Sequence, residues 1–239
     1  MTKRTSSPTP SPSRTTLGFD AAIFDLDGVI TFTARVHEAA WKELFDTYLR
    51  SREERYGEPF RPFTDDEYRA HVDGRPRYEG VRTFLASRGI ALPHGDPSDP
   101  PDAETIAGLG NRKDERFREL LRERGVEVDS DAVRFIGELR AQQTRVGVAS
   151  SSRNTELVLD RAGLTNLFDA RVDGVVSARL GLRGKPAPDS FLECLRRLGV
   201  SDPRRAMVVE DAEVGVEAGR AGGSGPSQPA SPSGRITAR

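Results

Sequence analysis

The sequence predicts a doubly wound, mostly parallel α/β sheet with a helical unit inserted after the first strand. Three observations predict it. Short apolar runs, "AAIF", "RVGVA" and "AMVVE", each break into polar residues and are followed by helical patterns. Strands that alternate with helices in this way build parallel sheets. Between the first run and the others, residues 34 to about 125 carry helical periodicity and no convincing strand, as an insertion would.

Residues 1–17 are rich in Ser, Thr and Pro and are expected to form a disordered tail, with too little apolar surface to offset the entropy of ordering. Residues 21–24 read as a buried strand closed by Asp-Gly. Val36, Ala39, Ala40, Leu44, Phe45 and Tyr48 then recur at helical spacing. Two further helices are expected in "YEGVRTFLASRGI" and "NRKDERFRELLRERG", on either side of the Pro-rich "LPHGDPSDPPDAE". Residues 129–142 form the next, with Ser130 or Asp131 as N-cap and Val133, Ile136 and Leu139 on one face. "RVGVASS" is a strand, "NTELVLDRAGL" a helix stopped by Gly163, and 169–176 a further strand. "PDSFLECLRRLGV" is a helix ended by Gly199, "AMVVED" a strand ending in two acids, and "AEVGVEAGRAG" a helix. The division expected is a core of residues 18–32 and 128–223, a helical cap of 33–127, and a low-complexity tail of 224–239.

Composition narrows the function classes. With 36 basic and 37 acidic residues in 239, no global field argues for a nucleic acid or a membrane surface. The single cysteine, Cys194, excludes an intramolecular disulfide and suits a reducing compartment. No apolar run reaches membrane-spanning length, and the N-terminus lacks the apolar segment of a secretory signal. A soluble, cytoplasmic protein is the expectation.

In an open α/β sheet, ligands bind beyond the carboxyl ends of the strands. The polar groups expected there are Asp25 and Asp27, Ser150 to Ser152, and Glu210 with Asp211; Lys185 lies in a loop before a helix. Four acids beside hydroxyls and a lysine are hard to keep ionised unless a cation sits among them. All-oxygen ligands favour a hard ion, and Mg²⁺ suits a site that handles phosphate. A carboxylate can attack a phosphoryl group, and a second acid two residues on can protonate the leaving oxygen. Asp25 is the candidate nucleophile and Asp27 the candidate acid/base. Singly these motifs are ordinary turns and helix caps; their order and shared strand-end placement point to phosphoryl transfer.

"DLDGVIT", the serine of "VASSSRN", the lysine of "GKPAPD" and the acids of "EDAEVGVEAG" resemble the four motifs of the haloacid dehalogenase-like superfamily. The similarity runs from about Phe19 to Gly223, and the helical insertion resembles that group's helical cap over a Rossmann-like core. "TARVHEAAWK", "DGRPRYEGVRTFL" and "NRKDERF" are similar to the β-phosphoglucomutase subfamily. The resemblance implies that Asp25 is nucleophile and metal ligand. Asp27 is acid/base with its carbonyl on Mg²⁺, Ser150 and Lys185 bind the transferring phosphate, and Glu210 and Asp211 complete the metal site. It further implies that Ser152, Arg153, Asn154 and Arg77 hold a second phosphate, and that His37 and Lys113 couple cap closure to proton transfer. His37, four residues before Trp41 on one face, could equally be a packing residue, Arg77 a solvated one, and Lys113 a partner of Asp114 or Glu115.

Two departures stand out. Phe32 occupies the entry to the cap, where many relatives have an acid or another polar residue. After the fourth motif, an apolar strand is expected and "SGPSQPASPSGRITAR" stands in its place. The C-terminal strand of the core therefore reads as missing, which would leave "AMVVED" as an open apolar edge. Three functions follow: conversion of β-D-glucose 1-phosphate to glucose 6-phosphate through a bisphosphate, phosphatase action on a small sugar phosphate, or a non-catalytic fragment. The partner expected is a small sugar phosphate, with no nucleic acid or membrane, and the chain is expected to be a monomer unless the open edge pairs with another chain.

Overall fold

The computed structural model describes residues 18–224 and 228–229. Most of the two tails expected from the sequence lies outside these residues. The chain runs β1 (Ala21–Phe24), α1 (Ala34–Tyr56), α2 (Asp65–His71), α3 (Arg77–Ser87), α4 (Ile106–Arg124), α5 (Ser130–Ala141), β2 (Arg145–Ala149) and α6 (Thr155–Arg161). It continues through β3 (Ala170–Val172), α7 (Gly174–Leu180), α8 (Asp189–Arg197), β4 (Ala206–Glu210), α9 (Glu213–Ala221) and β5 (Gln228–Pro229).

The sheet order is β3-β2-β1-β4-β5, all pairs parallel. β1 is central, and its four apolar residues are fully buried because both faces are covered. Successive residues divide between the faces, as strand geometry requires. Ala22 and Phe24 pack with Val146, Val148 and Val209 under α5 and α6, joined by Phe117 and Leu120 of α4. Ala21 and Ile23 pack with Val208, Phe191, Cys194 and Ala218 on the other side. Burial of each large side chain there contributes roughly 1.5–3 kcal/mol. Cys194 is part of this packing, and its thiol is pushed up to about 12 by burial.

Helices α1 to α4 enclose a third apolar cluster built on rings. Phe45, fully buried, lies 5.2 Å from Trp41, 4.9 Å from Phe63 and 4.1 Å from Phe84, centroid to centroid. The two chain segments that join these helices to the sheet run side by side. Phe32 donates its N–H to the carbonyl of Glu127, Thr31 bridges Val128, and Asp129 donates to Ile30. Phe32 itself is half-buried.

Several expectations need correction. The N-cap of α5 is Asp129, whose carboxylate accepts from the N–H groups of Asp131 and Ala132, one position before the residues expected. The strand expected over 169–176 is only Ala170–Val172, because Asp173 caps α7 by accepting from Val175 and Val176. α2 was not anticipated, although Thr64 and Glu67 form a capping box legible as T-D-D-E. The edge beside β4 is also not wholly bare: Gln228 and Pro229 pair with Val209 and Glu210. Among the described residues only these two pair on that side of β4, and Ala206–Val208 have no partner there.

Phe45→Ala removes the ring shared by three aromatic contacts. We expect a loss of about 3–5 kcal/mol in unfolding free energy by urea titration, with the far-UV helical signal retained in buffer.

Candidate active site

Because every strand runs parallel, the polar residues that end them collect at one edge of the sheet. The twelve residues expected at the site, Asp25, Asp27, His37, Arg77, Lys113, Ser150, Ser152, Arg153, Asn154, Lys185, Glu210 and Asp211, all line one cavity there. Asp25 follows β1 directly and takes its N–H bond to Val209. Lys185 is buried between two acids, its ammonium 2.6 Å from Asp25 Oδ1 and 2.6 Å from Glu210 Oε2. The second Asp25 oxygen accepts from the N–H of Asp27 at 3.0 Å. Burial alone would lower Lys185, but the two carboxylates hold it above the ordinary lysine range. Burial and the charge of Asp25 push Glu210 up to about 8, and burial also raises Asp25.

Oxygens of Asp25, Glu210 and Asp211 lie within 4.8 Å of one another. Three carboxylates at that separation, with burial and the charge of Asp25 raising both Glu210 and Asp211, suit a hard divalent cation. Gly28 makes room for them. Its φ of +90° belongs to the left-handed region, and a Cβ there would lie 2.0 Å from Asp211 Oδ2.

Asp27 faces the cap. Its Oδ1 accepts from the Thr33 hydroxyl at 2.5 Å and lies 3.5 Å from His37 Nε2, while Oδ2 is 3.5 Å from Ser150 Oγ. Burial opposes ionisation, yet His37 and Thr33 bring its carboxyl down to about 2. His37 stacks on Phe117 at 3.9 Å and hydrogen-bonds Lys113 through Nδ1. It is a packing residue and a polar link at once. Lys113 also lies 5.0 Å from the Trp41 ring and 4.7 Å from Phe117, and burial lowers it to about 7.

Arg77 opens α3 and pairs with Asp114 at 2.8 Å. Asp114 in turn accepts from Asn154 Nδ2 at 2.6 Å, which ties cap to core. Ser152 Oγ accepts from the Asn154 N–H, and Arg153 is exposed. The Nε atoms of Arg75 and Arg77 are buried with no hydrogen-bond partner. The cap is seated on the core. The Ser151 hydroxyl donates to the Gly74 carbonyl at 2.9 Å, and the enclosed space is about 80 Å³. That is small beside the roughly 300–1,000 Å³ of ordinary ligand pockets.

Sequence reasoning missed Thr33, Tyr68, Asp73 and Asp114 among the cavity's polar neighbours. Tyr68 and the N–H of Gly74 hydrogen-bond the Asp73 carboxyl, which burial raises. Nothing in their local pattern marks Tyr68 or Asp73. Thr33 could have been suspected from its place six residues after Asp27.

A parallel sheet with acids and a serine at its strand ends, a lysine reaching them from a loop, and a helical cap above defines an enzyme of phosphoryl transfer. Residues 19–223 match the model of the haloacid dehalogenase-like hydrolases, and the chain belongs to that family. It is 50% identical over 203 residues to a beta-phosphoglucomutase of Mycobacterium bovis, covering 84% of this chain and 77% of that one. It is 32% identical over 207 residues to a fructose-1-phosphate phosphatase of Escherichia coli, covering 84% and 91%. Among solved structures, a beta-phosphoglucomutase from Clostridium difficile superposes with a TM-score of 0.68 at 23% identity, over 86% of this chain and 82% of that one, which speaks to the fold. No helix among the described residues is long and apolar enough to cross a membrane.

With four lysines in the chain, the two in the cavity can be resolved by NMR of their side-chain methylenes. Lys113 should titrate near 7, whereas Lys185 should keep its proton well beyond neutral pH. An ordinary unfolded lysine still holds its proton where folded Lys113 has lost it. The Lys113 contribution to stability therefore rises with pH from about 7 towards the ordinary lysine value of about 10.4.

Proposed function

We propose that the protein is a β-phosphoglucomutase, converting β-D-glucose 1-phosphate to glucose 6-phosphate through glucose 1,6-bisphosphate. One observation carries this reading: the cavity has two separate sets of anion-binding groups. Lys185 lies on Asp25 and Ser150 beside Asp27, while Arg77 and Asn154 meet at Asp114. Hydrolysis of a monophosphate needs only the first set. An intermediate phosphorylated at both ends needs the second as well. The mycobacterial relative's name points the same way.

In this mechanism Asp25 carries the phosphoryl group as an aspartyl-phosphate. The C6 hydroxyl of glucose 1-phosphate attacks phosphorus, its proton passes to Asp27, and the bond from phosphorus to the Asp25 oxygen breaks. The resulting bisphosphate turns round. Asp25 then attacks the C1 phosphoryl group, the bond to the C1 oxygen breaks, and Asp27 returns the proton to that oxygen. Ser150 and Lys185 hold the phosphoryl oxygens, and Arg77 with Ser152, Arg153 and Asn154 holds the other phosphate. His37 and Lys113, on α1 and α4, tie the protonation of Asp27 to the seating of the cap. Mg²⁺ held by Asp25, Glu210, Asp211 and the Asp27 carbonyl would neutralise charge on the transferring group. Residues 33–127 act as the cap and 18–32 with 128–223 as the core. Phe32 lies where the chain crosses between them.

The second reading is a sugar-phosphate phosphatase, favoured by the name of the Escherichia coli relative. The assay that separates them supplies β-glucose 1-phosphate, Mg²⁺ and a trace of glucose 1,6-bisphosphate. We expect glucose 6-phosphate; inorganic phosphate in its place would sink the mutase reading. Asp25→Asn should remove turnover, by at least about 10³-fold, with an unchanged circular dichroism spectrum. Arg77→Ala should cost at least about tenfold more in kcat/KM on glucose 1-phosphate than on an aryl phosphate.

A further inference from the structure

Asp114 is a residue that the phosphoryl-transfer reading does not use, yet it sits among the groups assigned to the second phosphate. It lies on α4, one turn before Arg118, and lines the cavity. Its Oδ1 takes Arg77 Nη1 at 2.8 Å and Asn154 Nδ2 at 2.6 Å. Its Oδ2 takes Arg118 Nε at 3.1 Å, and the same Nε reaches Asn154 Oδ1 at 3.0 Å. Asp114 and Arg77 are each only 16% exposed, and Asn154 is buried. One carboxylate therefore gathers a guanidinium from α3, an amide from the core and a guanidinium from its own helix. A phosphate bound by Arg77 and Asn154 would need the same donors.

We propose that Asp114 is a specificity-determining residue whose carboxylate stands in for the second phosphate. It joins Arg77 to Asn154 in the ligand-free protein and competes with the far phosphate for both. The inference rests on the assignment of Arg77 and Asn154 to that phosphate. Two anions cannot share these donors without repulsion, so binding exchanges one for the other. Arg118, half-exposed, remains to balance Asp114 once its other partners turn away. The far phosphate is consequently held less tightly than the donor set alone would allow. An intermediate that must turn round in the cavity requires such a loosened grip. A plain orienting role for Asp114 predicts the opposite sign: without its carboxylate, Arg77 would be misdirected and the second phosphate bound more weakly.

The test is calorimetric titration with glucose 1,6-bisphosphate and, separately, phenyl phosphate, in Asp25→Asn protein so that nothing turns over. Adding Asp114→Asn, which keeps the shape and removes the charge, should lower the bisphosphate Kd about tenfold. The Kd of phenyl phosphate should change several-fold less. Asp114→Ser serves as a second variant should the amide disturb folding, with the same expectation. An unchanged or higher bisphosphate Kd in the folded variants overturns the proposal. Arg77→Ala in the same background separates the two levels of the argument. A bisphosphate Kd raised about tenfold or more upholds the clamp whatever Asp114 does. An unchanged Kd in Arg77→Ala removes the clamp and this inference together, while the glucose 6-phosphate assay judges the mutase reading by itself.

Discussion

The ammonium of Lys185, shared between Asp25 and Glu210 at 2.6 Å each, is the interaction on which the site depends. Two carboxylates buried side by side at the ends of adjacent strands repel and are poorly solvated; a buried lysine supplies the charge that solvent cannot. Parallel pairing of β1 with β4 forces the acids together, because Phe24 is in register with Val209 and each acid comes next. The lysine arrives from a loop 160 residues along the chain from Asp25. The arrangement is costly to assemble and is offset by the dry, fully apolar strand beneath it.

Around that centre the site divides by charge and by element. The core contributes the acids and the serines at strand ends, and the lysine from the loop before α8. The cap contributes His37, Lys113 and Arg77, all on helices whose packing is secured by a separate aromatic cluster. The two halves meet through few polar contacts, among them Ser151 with Gly74 and Asn154 with Asp114. They also share apolar packing, since Val36 and Ala40 of α1 and Phe117, Leu120 and Leu121 of α4 belong to the cluster around Phe24. The chain crosses between the two halves at 30–33 and 127–129, where the two segments are hydrogen-bonded side by side.

Asp27 and Lys113 illustrate how a shared environment produces opposite outcomes. Burial disfavours charge on both. Asp27 has His37 and Thr33 beside it and is brought down to about 2, while Lys113 lacks a carboxylate hydrogen bond and falls to about 7. The acid is held far below its ordinary value by its neighbours, whereas nothing beside the base is enough to offset its burial.

Much of the site could be read from the sequence. Asp25, Asp27, Ser150, Lys185, Glu210 and Asp211 were legible because each follows an apolar run or precedes a helix. A parallel sheet must bring such ends to one edge. The alternation of strands and helices was legible for the same reason, since burial on both faces demands unbroken apolar runs. Only the tertiary structure decided that Asp114 joins Arg77 to Asn154, that His37 both stacks on Phe117 and faces Asp27, and that Gln228–Pro229 meet β4. These contacts join residues far apart in sequence, where no periodicity links them. Local pattern specifies which face of an element is buried; which polar side chains then face one another is set by how the finished elements pack.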